Sequence, residues 1–273
     1  VSTFNTKFDI VLLVLKAYDT PWACQLIKPY LHDNGLLVGV QNGMTLDTIA
    51  EVVGPERTMG CVIEISSQLF EPGVIQRQSP HDRSWFSVGS FDGSTSTREA
   101  ELQEILSCSG TVAIASDIQS AKWMKLVSNC TTLATSAIFG VPIAEAASTP
   151  GMREIMLGSG IEAFMTGQEL GYCIKPIFGL SEVDMRNSNQ LVQLLLDKLT
   201  SKFILPNTIT TILQDHMKNR KSEVKNINGW VVEKQAKLGN ATPINTAIVK
   251  ISELIKRGEL KPSKANLRLL ETK

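Results

Sequence analysis

Continuous apolar blocks of strand length dominate the first 116 residues of the chain. The first block, Ile10 to Leu15, shows no alternation with polar residues, which is typical of a strand covered on both faces. Similar blocks predict strands at 36–40, 58–65 and 112–115, and periodic segments predict helices at 20–31, 45–53 and 97–108. This order predicts a parallel sheet with right-handed crossovers. We expect Thr20 to be the N-cap of the first helix, followed by Pro21.

Two segments, 72–75 and 85–89, interrupt this alternation and predict short antiparallel strands at a sheet edge. From Asp117 onward the pattern is helical, with helices predicted at 117–138, 143–147, 151–171, 188–201, 206–217, 222–238 and 243–257. Gly239 is expected just after a helix end, and the polar tail from Lys261 is expected to fray. The change of pattern predicts an α/β domain at residues 1–116 and an all-α domain at residues 117–273.

Charge and composition exclude several classes of function. Lys+Arg and Asp+Glu number 27 each, so no global field favours nucleic acid or an anionic membrane. The apolar runs are too short to span a bilayer, and residues 1–9 do not form a signal peptide. Five irregularly spaced cysteines without a CxxC, and only three histidines, predict free thiols and no metal site. We therefore expect a cytoplasmic protein.

Lys16 and Asn42 follow two neighbouring strands of the predicted sheet. Ligands of doubly wound sheets bind beyond the carboxyl ends of the strands, so both side chains are candidates for a binding site. Lys16 could equally be a solvated residue, and Asn42-Gly43 could simply be a turn, because Asn-Gly is a strong turn dipeptide.

Lys125 and Asn129 lie four residues apart in the predicted helix 117–138 and share a face. Apolar neighbours could exclude water from Lys125 and help it to donate a proton near neutral pH; they are Trp123, Met124, Leu126 and Val127. Lys122 is a competing candidate, about 60° further round the helix from Lys125. A solvated Lys/Asn face would give the same spacing.

Three further polar residues lie at predicted helix starts. Glu223 follows Ser222 at the start of helix 222–238, where a carboxylate is favoured by the helix dipole for structural reasons alone. Thr210 and Thr211 could bind an oxyanion or could merely begin a helix.

The sequence from Gly158 to Ala163 matches the dinucleotide fingerprint GxGxxA, but helix rather than strand precedes it. We interpret these glycines as a close helix–helix contact. No other match to the fingerprint, and no P-loop, is present in the sequence.

Several short motifs follow one another in a specific order: Asp9 to Ala17, Gln41 to Gly43, Glu71 to Ile75, Trp85 to Gly89, Asp117 to Asn129 and Leu213 to Gly229. Through them the chain resembles the ketopantoate reductase (2-dehydropantoate 2-reductase) family along nearly its whole length. The resemblance implies a Rossmann-like dinucleotide-binding domain (1–116) followed by an all-α, 6-phosphogluconate-dehydrogenase-like substrate domain (117–273).

The resemblance also implies an enzyme that uses NADPH to reduce a small 2-oxo acid, as in the conversion of 2-dehydropantoate to pantoate in pantothenate biosynthesis. Residues like Lys125 and Glu223 are catalytic in this family, with the lysine as general acid. By the same resemblance, substrate would contact Asn129, Thr211 and Asn42, and the cofactor would contact Lys16, Asn42 and Gly43. A homodimer is an expected assembly.

Three features depart from the family pattern. The family begins with a strand and a GxGxxG turn, so we expect roughly 55–75 further residues before Val1 in the native protein. Leu133 stands where an asparagine is usual, and Thr211 where a serine is common. These two changes favour a 2-oxo acid with a more apolar side chain. Two alternatives stay open: a related dehydrogenase of another 2-oxo acid, 2-hydroxy acid or opine-type substrate, and a non-catalytic binding paralogue.

Overall fold

The computed structural model describes residues 4–178, 180–186 and 190–271. The chain divides into two compact units, residues 1–123 and residues 124–273. This division falls inside a long helix, Ile118–Phe139, that begins just after the domain boundary expected near residue 116. The boundary at residue 116 stays a prediction.

The described residues of the first unit before that long helix form seven strands and three α-helices, with short 3-10 turns between them. The strands are β1 (Phe8–Leu13), β2 (Leu31–Gly39), β3 (Thr58–Glu64), β4 (Ser67–Glu71), β5 (Val74–Arg77), β6 (Trp85–Ser90) and β7 (Thr111–Ile114). The helices are α1 (Thr20–Ile27), α2 (Leu46–Val53) and α3 (Glu99–Ser107). Five strands form one sheet in the order β1-β2-β3-β6-β7, and β4 and β5 form a separate hairpin.

The mixed sheet confirms the predicted α/β fold and corrects one expectation. Strand β6 is antiparallel to β3, as predicted, but it lies inside the sheet because β7 pairs with its other side. Strand β1 packs on both faces, as predicted, with Val11 and Leu13 on one side and Ile10 and Leu12 on the other, but most of its residues are only half-buried.

Apolar clusters cover both faces of this sheet. Leu37 of β2 packs into one cluster with residues of α1 and α2, whereas Leu36 and Val38 pack into the other with residues of α3. The alternation arises because successive side chains of a strand point to opposite faces. The sheet is therefore layered between helices, with the carboxyl ends of β1, β2 and β3 at one edge.

The start of α1 differs from the prediction. Asp19, not Thr20, is the N-cap residue, and Thr20 is the first helical residue. The Thr20 hydroxyl instead accepts a hydrogen bond from Gln41 Nε2 at 2.9 Å. A tertiary contact thus uses the hydroxyl that the local pattern assigned to capping.

The second unit is helical, as predicted. The helices from the long one onward are α4 (Ile118–Phe139), α5 (Ile143–Ser148), α6 (Met152–Glu169), α7 (Glu182–Arg186), α8 (Leu191–Lys198), α9 (Thr211–Met217), α10 (Asn228–Lys237), α11 (Pro243–Lys256) and α12 (Arg268–Glu271). The helix predicted at 206–217 begins only at Thr211. The one predicted at 188–201 starts in residues outside the described ones and ends in a π-helical turn, Leu199–Phe203.

The C-terminal part of the second unit contains the expected helix end at Gly239 and a tail with tertiary contacts. Gly239 follows α10 with a φ of 82°, which confirms its role after the helix end. The described residues of the tail form two short helical segments, and the buried Asn266 side chain donates to the backbone oxygens of Ile138 and Lys261 at 2.8 and 2.9 Å. Fraying of the tail stays a prediction.

The glycines of the GxGxxA segment lie inside α6, which confirms their predicted packing role. A Cβ atom on Gly160 would overlap Thr131 Oγ1 of α4, and one on Gly158 would overlap Ile244 of α11. Glu162 of the same segment accepts hydrogen bonds from the backbone N–H groups of Ile244 and Asn245, both at 2.9 Å. The segment therefore joins helices and caps α11.

Candidate active site

Lys16 and Asn42 lie at the carboxyl edge of the sheet in the first unit. Their strands are parallel neighbours, since Leu13 pairs with Gly39 and Val40 N–H donates to Leu13 O at 3.2 Å. Both side chains are half-buried. The structure places the two residues at one edge, as predicted, and their roles in binding stay predictions.

The turn that carries Asn42 is tightly held. Gly43 has a φ of 82°, a conformation that glycine adopts without steric cost, and it is buried. The Gln41 side chain donates to Thr20 Oγ1 and accepts from Thr45 Oγ1 at 3.4 Å. A Cβ on Gly39 would lie 2.7 Å from Ile49 Cδ1, so the backbone before the turn passes close to α2.

Lys122 supports the same turn, which the sequence did not predict. Its side chain is 3% exposed, and its Nζ donates to Gln41 O at 2.8 Å. Burial lowers the pKa of Lys122 to about 8, and the neighbouring Cys61 opposes that shift. The sequence predicts Lys122 only as a rival proton donor, and its place between Ala121 and Trp123 is the local signal that could have indicated burial.

Lys125 and Asn129 occupy successive turns of α4, now within the second unit. Asn129 is 1% exposed and Lys125 is half-buried. The four apolar neighbours predicted to exclude water are all buried: Trp123, Met124, Leu126 and Val127. Lys125 is therefore a half-buried cation whose sequence neighbours on α4 are buried.

Phe178 is a neighbour of Lys125 that sequence reasoning missed. The Lys125 Nζ lies 4.8 Å from the centroid of the Phe178 ring, within the range of a cation–π interaction. Phe178 is buried, and its φ of 51° lies in the left-handed region that a bulky residue rarely adopts. Its position far along the chain, in a segment without regular structure, left no local signal.

Glu223 does not begin a helix, contrary to the prediction. Regular helix α10 starts at Asn228, and residues 223–227 form a preceding turn in which Glu223 O accepts from Asn226 N and Ile227 N. Glu223 is 4% exposed. The helix-dipole explanation for this carboxylate is weakened, since the acid lies more than one turn before the helix.

Thr210 and Thr211 have different environments. Thr210 is the N-cap of α9: its hydroxyl accepts from Leu213 N and donates to Leu133 O, both at 3.1 Å. Thr211 is exposed at the first helical position. Thr210 therefore begins a helix, which was one of the two expectations for it. Thr211 stays a predicted substrate contact.

A buried polar network connects the helix of Lys125 with the segment after Glu223. Ser159 Oγ donates to Cys130 O at 2.9 Å, next to Asn129, and receives a hydrogen bond from Asn228 Nδ2 at 3.3 Å. Asn228 also donates to Asn245 Oδ1 at 2.8 Å. The network fixes α4, α6, α10 and α11 to one another, which restrains the side chains that they carry.

The structure contains none of the five cysteines in a disulfide. Burial raises the pKa of Cys24 to about 11 and that of Cys61 to about 12. Among the described residues, no three His, Cys, Asp or Glu side chains are grouped to hold a metal ion. The described helices include none with the length and apolarity needed to cross a membrane.

Comparisons with known proteins agree with this architecture. Residues 117–256 match the family described as ketopantoate reductase PanE/ApbA C terminal, and residues 1–92 match ketopantoate reductase PanE/ApbA. A 2-dehydropantoate 2-reductase of Aquifex aeolicus is 26% identical over 257 residues, covering 90% of this chain and 77% of that protein.

Two solved structures share the fold. A PanE/ApbA family ketopantoate reductase from Ralstonia eutropha has a TM-score of 0.75 and 22% identity, covering 92% of this chain and 76% of that one. D-mandelate dehydrogenase with NADH and anilino(oxo)acetate has a TM-score of 0.81 and 17% identity, covering 94% and 79%. Since the C-terminal family match alone spans more than half of the sequence, the chain belongs to the ketopantoate reductase family.

Proposed function

We propose that this protein reduces a 2-oxo acid to the corresponding 2-hydroxy acid with NADPH, and that 2-dehydropantoate is its substrate. The observation that carries the proposal is the half-buried ammonium of Lys125, set against Phe178 and one helical turn from the buried amide of Asn129. Family membership and the names of the relatives support the reaction class.

Lys125 is the proposed general acid. When hydride adds to the carbonyl carbon, negative charge grows on the carbonyl oxygen. A neighbouring ammonium stabilises that charge and then donates a proton from Nζ, so the oxygen becomes a hydroxyl group. Partial burial of Lys125 would strengthen this electrostatic effect, because the effective dielectric constant near the protein is lower than that of bulk water.

Asn129, Glu223 and Thr211 are the proposed substrate partners. The Asn129 amide can both donate and accept hydrogen bonds, which suits a carboxylate or hydroxyl group of the substrate. Glu223 is a buried acid, and an ionised carboxylate is a strong acceptor of hydrogen bonds. In the proposal it accepts a hydrogen bond from a hydroxyl group of the substrate.

The carboxyl edge of the first unit fits the nicotinamide end of the cofactor. Lys16 and Asn42 offer an ammonium and an amide after neighbouring parallel strands, and Gly43 turns the backbone at that edge without a side chain. A bound nicotinamide cofactor would supply the hydride. These three residues would hold and orient its reactive end. The preference for NADPH and a homodimeric assembly follow from the family resemblance and belong to the proposal.

One observation favours a second candidate substrate. Leu133 is half-buried on α4, one turn beyond Asn129, where an amide is usual in the family. An apolar side chain there would favour a 2-oxo acid with an apolar or aromatic substituent, such as phenylglyoxylate. The reaction and the role of Lys125 would be unchanged.

Oxidation of NADPH and of NADH, followed at 340 nm, tests the proposal. The full-length native protein would be assayed with 2-dehydropantoate, phenylglyoxylate and several aliphatic 2-oxo acids. Turnover of 2-dehydropantoate at a kcat/KM well above the others supports the main proposal, whereas a preference for phenylglyoxylate supports the second candidate. No turnover of any acid, together with no binding of either cofactor, would overturn both. Light scattering during gel filtration tests the homodimer.

A further inference from the structure

Lys122 is a buried cation on the first turns of α4 that the proposed chemistry does not use. Its Nζ donates to Gln41 O at 2.8 Å, just beyond β2, and reaches Cys61 O in β3 at 3.5 Å. Both acceptors are neutral backbone carbonyls. The ammonium therefore links the residue after β2 and the middle of β3 to α4, within the first unit.

The charge of Lys122 is not explained by packing. Removing an ammonium from water is costly unless strong hydrogen bonds compensate, and an apolar side chain of similar length would fill the same space at lower cost. With a pKa of about 8, Lys122 is mostly charged at neutral pH. A charged donor makes a stronger hydrogen bond to a carbonyl than a neutral one.

The hydrogen bond from Lys122 to Gln41 O also restrains the next N–H group, that of Asn42. Gln41 O and the N–H of Asn42 belong to one planar trans peptide, in which the two groups point in opposite directions. Holding the oxygen toward Lys122 therefore fixes the direction of the Asn42 N–H. The Gln41 side chain is held separately by Thr20 and Thr45, so the peptide is restrained from several sides.

We infer that Lys122 is a positioning residue that sets the orientation of the Gln41–Asn42 peptide and of the turn 41–45. The inference rests on the proposed function, in which Asn42 and Gly43 contact the reactive end of the cofactor. Lys122 itself would touch neither substrate nor cofactor. Its removal should impair cofactor binding through the turn.

Two variants and one control test this role. Lys122→Met removes the charge and the donor at similar length, and Lys122→Arg keeps a charged donor. Leu106→Ala truncates a buried side chain of α3 and serves as a control for general loss of stability. Amide hydrogen exchange of residues 41–45 is measured on the free proteins, and KM for NADPH and kcat are measured with the preferred 2-oxo acid.

In Lys122→Met we expect exchange at 41–45 to accelerate, and KM for NADPH to rise, by about tenfold or more, the size of a lost hydrogen bond to a charged group. Lys122→Arg should recover part of both effects, and Leu106→Ala should show neither. Unchanged exchange at 41–45 in a folded Lys122→Met protein, or an equal change in Leu106→Ala, would overturn the inference. If Lys122→Met does not fold, Lys122→Gln is measured against the same criteria.

Hydrogen exchange separates this inference from the proposed function, because it needs neither cofactor nor turnover. A wild-type protein that reduces no 2-oxo acid and binds no nicotinamide cofactor contradicts the proposed function directly. Faster exchange in Lys122→Met with an unchanged KM for NADPH would support the effect of Lys122 on the turn and would overturn its effect on cofactor binding.

Discussion

The ammonium nitrogen of Lys125 lies over the Phe178 ring, 4.8 Å from its centroid. Phe178 is itself held by an edge-to-face contact with Phe203, with ring centroids 5.5 Å apart. Its left-handed backbone, with a φ of 51°, has a conformational cost that the surrounding packing must offset. A residue kept in this conformation beside the proposed general acid fits a role in placing that acid.

Phe178→Leu should reduce kcat without unfolding the protein, because leucine keeps the apolar bulk but lacks the aromatic face. A cation–π contact is worth about 0.5–2 kcal/mol, which corresponds to roughly a 2- to 30-fold change in rate. Phe203→Leu is the matched control, since it removes an aromatic ring that packs on Phe178. If both variants lose activity equally, general packing rather than the contact with Lys125 explains the loss.

Lys125→Ala should lower kcat by about 10²–10⁴-fold, the usual contribution of a general acid. The thermal midpoint should change little, because the side chain is only half-buried. Lys256→Ala, at the exposed end of α11, provides a lysine control. Steady-state kinetics with saturating cofactor measures the effect, and a loss below about tenfold would remove Lys125 from the proposed role.

Glu223→Gln should reduce activity by about tenfold or more, because the amide keeps the shape of the side chain but not its charge. We expect a thermal midpoint within a few degrees of wild type. Glu233→Gln, on the exposed surface of α10, is the matched control. A fall in the midpoint large enough to unfold the protein at assay temperature would favour a structural role for the Glu223 carboxylate.

Leu133→Asn should shift preference toward 2-dehydropantoate, because it restores an amide one turn beyond Asn129. We expect the ratio of kcat/KM for 2-dehydropantoate to that for phenylglyoxylate to rise by about tenfold, as for one added hydrogen bond to a charged or polar group. Leu133→Met keeps an apolar side chain of similar size and should leave the ratio unchanged. An unchanged ratio in Leu133→Asn would separate this position from substrate choice.

Lys122 should make the free energy of unfolding depend on pH in the alkaline range. Burial lowers its pKa from an ordinary value of 10.5 to about 8. Between these two values the unfolded chain binds a proton that the folded protein has released, so the free energy of unfolding gains a term that rises with pH. Below pH 8 both states are charged, and the folded protein bears the full cost of burying the ammonium.

Urea unfolding of wild type and of Lys122→Met, from pH 7 to pH 10, measures this term as a difference. We expect the difference to move in favour of wild type across that range. The buried thiols act in the opposite direction, since raised pKa values for Cys24 and Cys61 mean that the unfolded state ionises first. That effect is common to both proteins and largely cancels. A pH-independent difference would contradict the lowered pKa.

The sequence by itself determined the fold class and the order of most elements. The mostly apolar blocks at Leu36 to Val40 and Thr58 to Ile65 specified buried strands, because period and polarity are local properties of the chain. The four-residue spacing of Lys125 and Asn129 also fixed their common helix face. The packing role of Gly160 followed in the same way from the helix that precedes it.

Only the tertiary structure decided features that depend on distant partners. The interior position of β6 was set by its pairing with β7, and the delayed start of α10 left Glu223 in a turn. Phe178 contacts Lys125 although the two are more than fifty residues apart in the sequence. Lys122 binds Gln41 O although the two are eighty-one residues apart. Local patterns specify which face of an element is buried. They do not specify which carbonyl or ring a lysine contacts, because that depends on the tertiary packing of the whole unit.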